Sequence, residues 1–126
     1  MKTIINTSNA PEPIGPYNQA VLVGNTLYTS GQIAINPETS ELVIDDISKE
    51  THQVMKNLEA VLAEANMNFE NVIKTTIFIS DMHNFSKINE VYSTYFDSAI
   101  APARETVEVS NLPKFVNVEI SCIACI

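Results

Sequence analysis

The run Val72-Ile73-Lys74-Thr75-Thr76-Ile77-Phe78-Ile79 constrains the fold more than any other stretch, because it is rich in β-branched residues and apolar at both parities. A strand of that composition belongs inside a sheet with both faces covered. Upstream of it, from Ile47, the residues Val54, Met55, Leu58, Val61, Leu62 and Ala65 recur at helical spacing and form one stripe. Asp45 or Asp46 can cap the start of that helix, and Asn66 can take the left-handed conformation at its end. Downstream, Asp81 can cap a second helix whose inward stripe is Phe85, Ile88, Val91, Tyr92, Tyr95 and Phe96, with Asn89 at the stripe's edge.

The flanking segments read as strands and turns. Residues 4–7 suit a short edge strand, and the prolines of residues 10–16 forbid helix, so an ordered arm ending at Tyr17 is expected. Residues 19–23 and 26–30 are β-rich and joined by Gly24-Asn25, a two-residue hairpin signal. Gly31 permits a tight backbone approach, and residues 36–40 form a turn. The chain closes with runs at 106–110 and 116–125 joined by Asn111-Leu112-Pro113-Lys114. In the last run Val116, Val118, Ile120, Cys122 and Ala124 share one face, while Asn117, Glu119 and Ser121 share the other. Read as an antiparallel hairpin, the two runs put Thr106 opposite Glu119 and leave Arg104 a diagonal neighbour of that carboxylate.

Strands, helix, strand, helix and two strands give one α+β domain over residues 1–126, a sheet with two helices able to cover one face only. The other face needs a partner. Apolar residues on both sides of the central strands predict a homo-oligomer in which sheets pack on one another.

Seven basic against 15 acidic residues give a formal net charge of -8, which argues against non-specific nucleic-acid binding and against acidic membranes. The first residues lack the apolar core of a signal peptide, and no run approaches membrane-spanning length, so a cytoplasmic location is expected. Cys122 and Cys125 have C-x-x-C spacing, but on a strand an offset of three puts them on opposite faces, and buried thiols are expected rather than a redox or metal pair. His52 and His83 sit alone on helical segments and read as solvated residues.

Arg104 is the only arginine; the other six basic residues are lysines. Its planar fork of donors grips a carboxylate or phosphate through two parallel hydrogen bonds, which an ammonium cannot do. Pro102 stiffens its approach, and the alternation after it places the fork at a strand's beginning.

Tyr17, Ser30, Gly31, Asn89, Arg104, Thr106 and Glu119 then form a recognisable set. With Ala10-Pro11 and Ile14-Gly15-Pro16-Tyr17, Thr29-Ser30-Gly31-Gln32-Ile33, the run 72–78, Val91-Tyr92 through Tyr95-Phe96, Pro102-Ala103-Arg104, Val107-Glu108-Val109, Leu112-Pro113 and Val118-Glu119-Ile120, the chain resembles the Rid family of reactive-intermediate deaminases, also called YjgF or L-PSP, over nearly its full length. The resemblance implies a chorismate-mutase-like α+β subunit with a mixed sheet, a homotrimer, and sites in clefts between subunits. It implies hydrolysis of enamines and imines such as 2-aminoacrylate, 2-iminopropanoate and 2-iminobutanoate to 2-oxo acids and ammonia, without a cofactor or metal. The residue matching Arg104 holds the substrate carboxylate in this family and the one matching Glu119 orients or activates water, while Tyr17, Ser30, Gly31 and Asn89 match cleft positions. Thr106 stands where some members have cysteine, and Ser40 and Asn66 replace glycines common in the family's loops.

The chemistry agrees with those residues. A 2-imino acid carries a carboxylate beside an electrophilic C=N carbon, so one donor fork orients it and one carboxylate can position the attacking water. The same clefts could serve a non-catalytic oligomer that senses a 2-oxo acid. An endoribonuclease, suggested by the family's older name, fits poorly with the acidic balance and the lack of a basic stripe.

Overall fold

Strand-like runs form six strands and the two apolar stripes form helices in a computed structural model that describes residues 1–126. In chain order they are β1 (Lys2–Ile5), β2 (Ala20–Val23), β3 (Thr26–Thr29), α1 (Ile47–Glu64), β4 (Val72–Ile79), α2 (Phe85–Ser93), β5 (Ala103–Glu108) and β6 (Val118–Cys125). They make one mixed sheet ordered β1-β2-β3-β6-β4-β5. β4 lies inside it, with β6 antiparallel on one side and β5 parallel on the other, as two apolar faces require.

This order corrects the terminal hairpin read from the sequence. β5 and β6 are not neighbours, because β4 lies between them: Thr106 pairs with Ile77 and Glu119 with Phe78. The physical reason is the β4-α2-β5 unit, in which a helical crossover returns the chain parallel to the strand it left. β5 is thereby an edge strand, exposed along nearly its whole length.

The helices cover one face. Val54, Met55, Leu58, Val61 and Leu62 of α1 are buried, as are Ile88, Val91 and Tyr92 of α2, and opposite them stand Leu27, Ile77, Ile79, Val118, Ile120 and Ala124. Asp46 caps α1 by accepting from the backbone N–H groups of Ser48 and Lys49 at 2.9 and 3.0 Å. Asn66 ends it with φ 59°. Asp81 caps a short 3₁₀ turn ahead of α2 rather than α2 itself. α2 stops at Ser93, before Tyr95 and Phe96 of its stripe, where the Ser93 and Thr94 hydroxyls donate to the carbonyls of Asn89 and Val91 at 2.7 Å each and compete with further helical turns. No helix is long and apolar enough to cross a membrane.

On the other face Ile4, Val21, Tyr28 and Ile123 stand in one row across four strands, and Tyr28 remains 47% exposed.

Three buried polar side chains fix the loops to this frame. Gln19 holds the proline-rich arm: its amide nitrogen donates to the carbonyls of Thr7, Ala10 and Pro11, and its oxygen accepts from Thr7 N. Asn57 of α1 donates to the carbonyls of Ile33 and Ile35. Glu50 of α1, fully buried, accepts from Asn117 N at 2.7 Å, Asn117 Nδ2 at 2.8 Å and Val118 N at 3.3 Å. Those donors meet the hydrogen-bonding demand that burial would otherwise leave unanswered. Glu50→Ala strands those donors without water, and a loss of about 3 kcal/mol or more is expected in urea denaturation.

Candidate functional site

The sequence-predicted residues fall into two groups on opposite faces of the sheet. Arg104 pairs with Thr75 and Thr106 with Ile77, which place both on the helix-covered face. Glu119 pairs with Phe78 on the uncovered face. Within one chain the guanidinium and the carboxylate are therefore kept apart, contrary to the hairpin expectation.

The first group is built on α2. Phe85, Asn89 and Tyr92 are spaced i, i+4 and i+7, so they present one side of the helix to the edge strand. Arg104 donates from one terminal nitrogen to Asn89 Oδ1 at 2.7 Å, and its guanidinium carbon lies 5.1 Å from the Tyr92 ring centre and 5.6 Å from that of Phe85. The remaining guanidinium donors stay available to a ligand. Beside it opens a cavity of about 430 Å³ whose walls include Tyr92, Ser93, Ser98 and Pro102. Two residues along the same face of β5, Thr106 Oγ1 is buried and has no hydrogen-bond partner in the chain, a hydroxyl left wanting one.

The second group surrounds a cleft of about 460 Å³ lined by Tyr17, Ser30, Gly31, Lys114 and Glu119 among others. The Gly31 backbone forms the floor under the carboxylate: a β-carbon at Gly31 would lie 2.7 Å from Glu119 Cδ and 2.8 Å from Oε1. Gln32 ties that floor to β6 through reciprocal backbone bonds with Ile120 of 2.8 and 3.1 Å. Burial pushes the Glu119 carboxyl above the ordinary glutamate range, with no opposing hydrogen bond or cation to lower it. Tyr17 is half exposed, its hydroxyl oxygen accepting from Ile14 N at 3.4 Å. Ser30 is a brace: its hydroxyl donates to the Asn18 carbonyl at 2.6 Å.

Other residues stay outside. Cys122 is buried, its thiol pushed up to about 11 by desolvation, and Cys125, partly buried, points to the other face. His52 shares a hydrogen bond with the Tyr95 hydroxyl and His83 with Asp81.

Sequence reasoning missed the aromatic setting of Arg104 and the place of Lys114. The i, i+4, i+7 spacing of Phe85, Asn89 and Tyr92 was the available signal for the first. Nothing local announces that Lys114 and Phe115 adopt left-handed φ values of 55° and 56° beside the cleft.

The chain is thus a small α+β subunit with a guanidinium set at a sheet edge and a desolvated carboxyl lying on bare backbone. Residues 7–126 match the family described as endoribonuclease L-PSP. A RutC family protein of Pyrococcus horikoshii is 51% identical over 124 residues, 98% of each chain. The 2-iminobutanoate/2-iminopropanoate deaminase of Mus musculus is 43% identical over 124 residues, 98% of this chain and 91% of the mouse protein. A crystal structure of a conserved Rid family protein from Yersinia pestis superposes with a TM-score of 0.97 at 52% identity over 100% of both chains. The chain belongs to the L-PSP family, also called Rid.

The raised carboxyl of Glu119 has a consequence for stability. A carboxyl whose folded pKa exceeds its unfolded one contributes stability that is full below the unfolded pKa and lost as pH rises through the folded pKa. Glu119→Gln is therefore expected to be more stable than the parent at about pH 7, the advantage vanishing near about pH 4 where the parent is protonated. Denaturant titrations at both pH values check this.

Proposed function

We propose that this chain hydrolyses 2-imino acids and their enamine precursors, such as 2-aminoacrylate, 2-iminopropanoate and 2-iminobutanoate, to 2-oxo acids and ammonia without a cofactor. It does so in a homotrimer whose sites lie between subunits. The observation that carries the reading is the Glu119 carboxylate, desolvated in a cleft and unpaired with any cation of its own chain. Such a group accepts a proton from water more readily than a solvated carboxylate does.

In this reading Arg104 of one subunit, steadied by Asn89, grips the substrate carboxylate, and Thr106 donates the hydrogen bond its hydroxyl lacks within the chain. The neighbouring subunit supplies Glu119, with Tyr17, Ser30 and Gly31 shaping the cleft. Glu119 takes a proton from water as the oxygen bonds to the C=N carbon and the π electrons move to nitrogen. The proton passes to that nitrogen to give a carbinolamine; Glu119 then carries the remaining hydroxyl proton to the amino group, the C–N bond breaks, and ammonia leaves as the C=O forms. Two observations support the division between subunits: the groups lie on opposite faces of one sheet, and the uncovered face carries an apolar row that an assembly would bury. The deaminase name of the mouse relative supports the reaction.

The deciding assay generates 2-aminoacrylate from serine with a pyridoxal-phosphate-dependent dehydratase and follows pyruvate appearance. Acceleration is expected with the parent. Arg104→Lys is expected to lose at least about tenfold in kcat/KM, the value of one charge-assisted hydrogen bond. Glu119→Gln should keep pyruvate affinity while turnover falls by about a hundredfold or more. Saturable pyruvate binding with no acceleration would make the protein a sensor instead.

Subunit sharing has its own test. Sedimentation at micromolar concentration is expected to give a trimer. Refolding Arg104→Ala and Glu119→Gln chains together should restore activity to about a quarter of the parent, since each site draws one group from each of two chains. No recovery in mixed trimers would place both groups in one subunit.

A further inference from the structure

The guanidinium of Arg104 sits on an exposed edge strand, where a long side chain ordinarily samples many rotamers. Here its surroundings are rigid. Tyr92 is only 5% exposed and its hydroxyl shares a 2.8 Å hydrogen bond with Thr75 Oγ1, itself 2% exposed. Thr75 is the residue of β4 in register with Arg104, so the ring that faces the guanidinium is tied to the strand position beside it. Phe96 packs against Tyr92 at 4.8 Å between ring centres, and Phe69 against Phe96 at 5.2 Å. Phe85 supplies the second ring from the start of α2. Both ring distances fall within the range where a cation is attracted to an aromatic face.

We propose that Tyr92, anchored by Thr75, and Phe85 are positioning residues that hold the Arg104 guanidinium in one orientation for a carboxylate ligand. The inference rests on the reading of Arg104 as a carboxylate clamp. Both rings act through the arginine, and the Tyr92 hydroxyl is engaged with Thr75 rather than with substrate. Asn89 fixes one nitrogen in the plane and the rings fix the plane itself, which leaves little rotational freedom to lose on binding. An arginine prepared in this way binds substrate and transition state alike, so its loss raises KM more than it lowers kcat.

The test measures pyruvate affinity and imine kinetics on the full-length protein, with pyruvamide as a probe of the same shape without the negative charge. Phe85→Leu and Tyr92→Leu are each expected to raise KM and the pyruvate Kd about fivefold, with kcat changed by less than about twofold. Pyruvamide affinity should not change in either variant. Tyr92→Phe keeps the ring and should recover most of the pyruvate affinity, which also answers for a Tyr92→Leu chain that folds poorly. Pyruvate affinity unchanged in Phe85→Leu and Tyr92→Leu, while Arg104→Ala abolishes it, overturns the positioning role and leaves the clamp standing. Equal losses for pyruvate and pyruvamide overturn it too, since they mean general damage to the site. Pyruvate affinity unchanged in Arg104→Ala removes the clamp itself, and the positioning role with it.

Discussion

A strand with neighbours on both sides decides where every functional group of this chain can be. β4 separates the strand that carries Arg104 from the strand that carries Glu119, and strict alternation along β5 and β6 then sends the two side chains to opposite faces. No loop rearrangement undoes that. A one-residue slip in β6 would bring Glu119 round, but it would also turn Val118, Ile120, Cys122 and Ala124 out of the core. The apolar pattern therefore enforces the separation.

The rest of the architecture serves to hold loops against that frame. Gln19, Glu50 and Asn57 are buried polar residues, and each makes hydrogen bonds to backbone groups of connecting segments outside the strands. Gln19 matters most for the cleft, since it fixes the arm that leads to Tyr17. Glu50 anchors the start of β6 from α1, two residues before Glu119. The site is thus built from the sheet's regular geometry plus three side-chain latches.

Much of this was legible in the residues. The both-face apolar character of 72–79 marked the interior strand, the helical spacing after Ile47 marked α1, and Asp45 or Asp46 with Asn66 marked its ends, of which Asp46 is the cap. Gly31 read as a close-approach position, and Glu119 lies against it. What failed was pairing: adjacency in sequence suggested a hairpin where the parallel crossover takes the chain to the far side of β4. That outcome depends on which strand edges remain free once α2 has packed, which is a property of the whole sheet and has no local signature. The latches were hidden for a similar reason, because a glutamine or glutamate at a buried position looks like a surface residue until its backbone partners are known. The aromatic setting of Arg104 was half visible, in that Phe85 and Tyr92 were read as an inward stripe: Tyr92 is buried in the core and Phe85 packs partly buried against it, each with a face left over for a cation.

An atom that is missing shapes the acid-base character of the cleft. At Gly31 the peptide is bare, so Glu119 lies down on it and gives up water along that side. A single methyl there would lie 2.7 Å from the carboxyl carbon, so the side chain would have to leave that floor. One carbon's absence thus decides how closely that carboxyl can lie against the peptide.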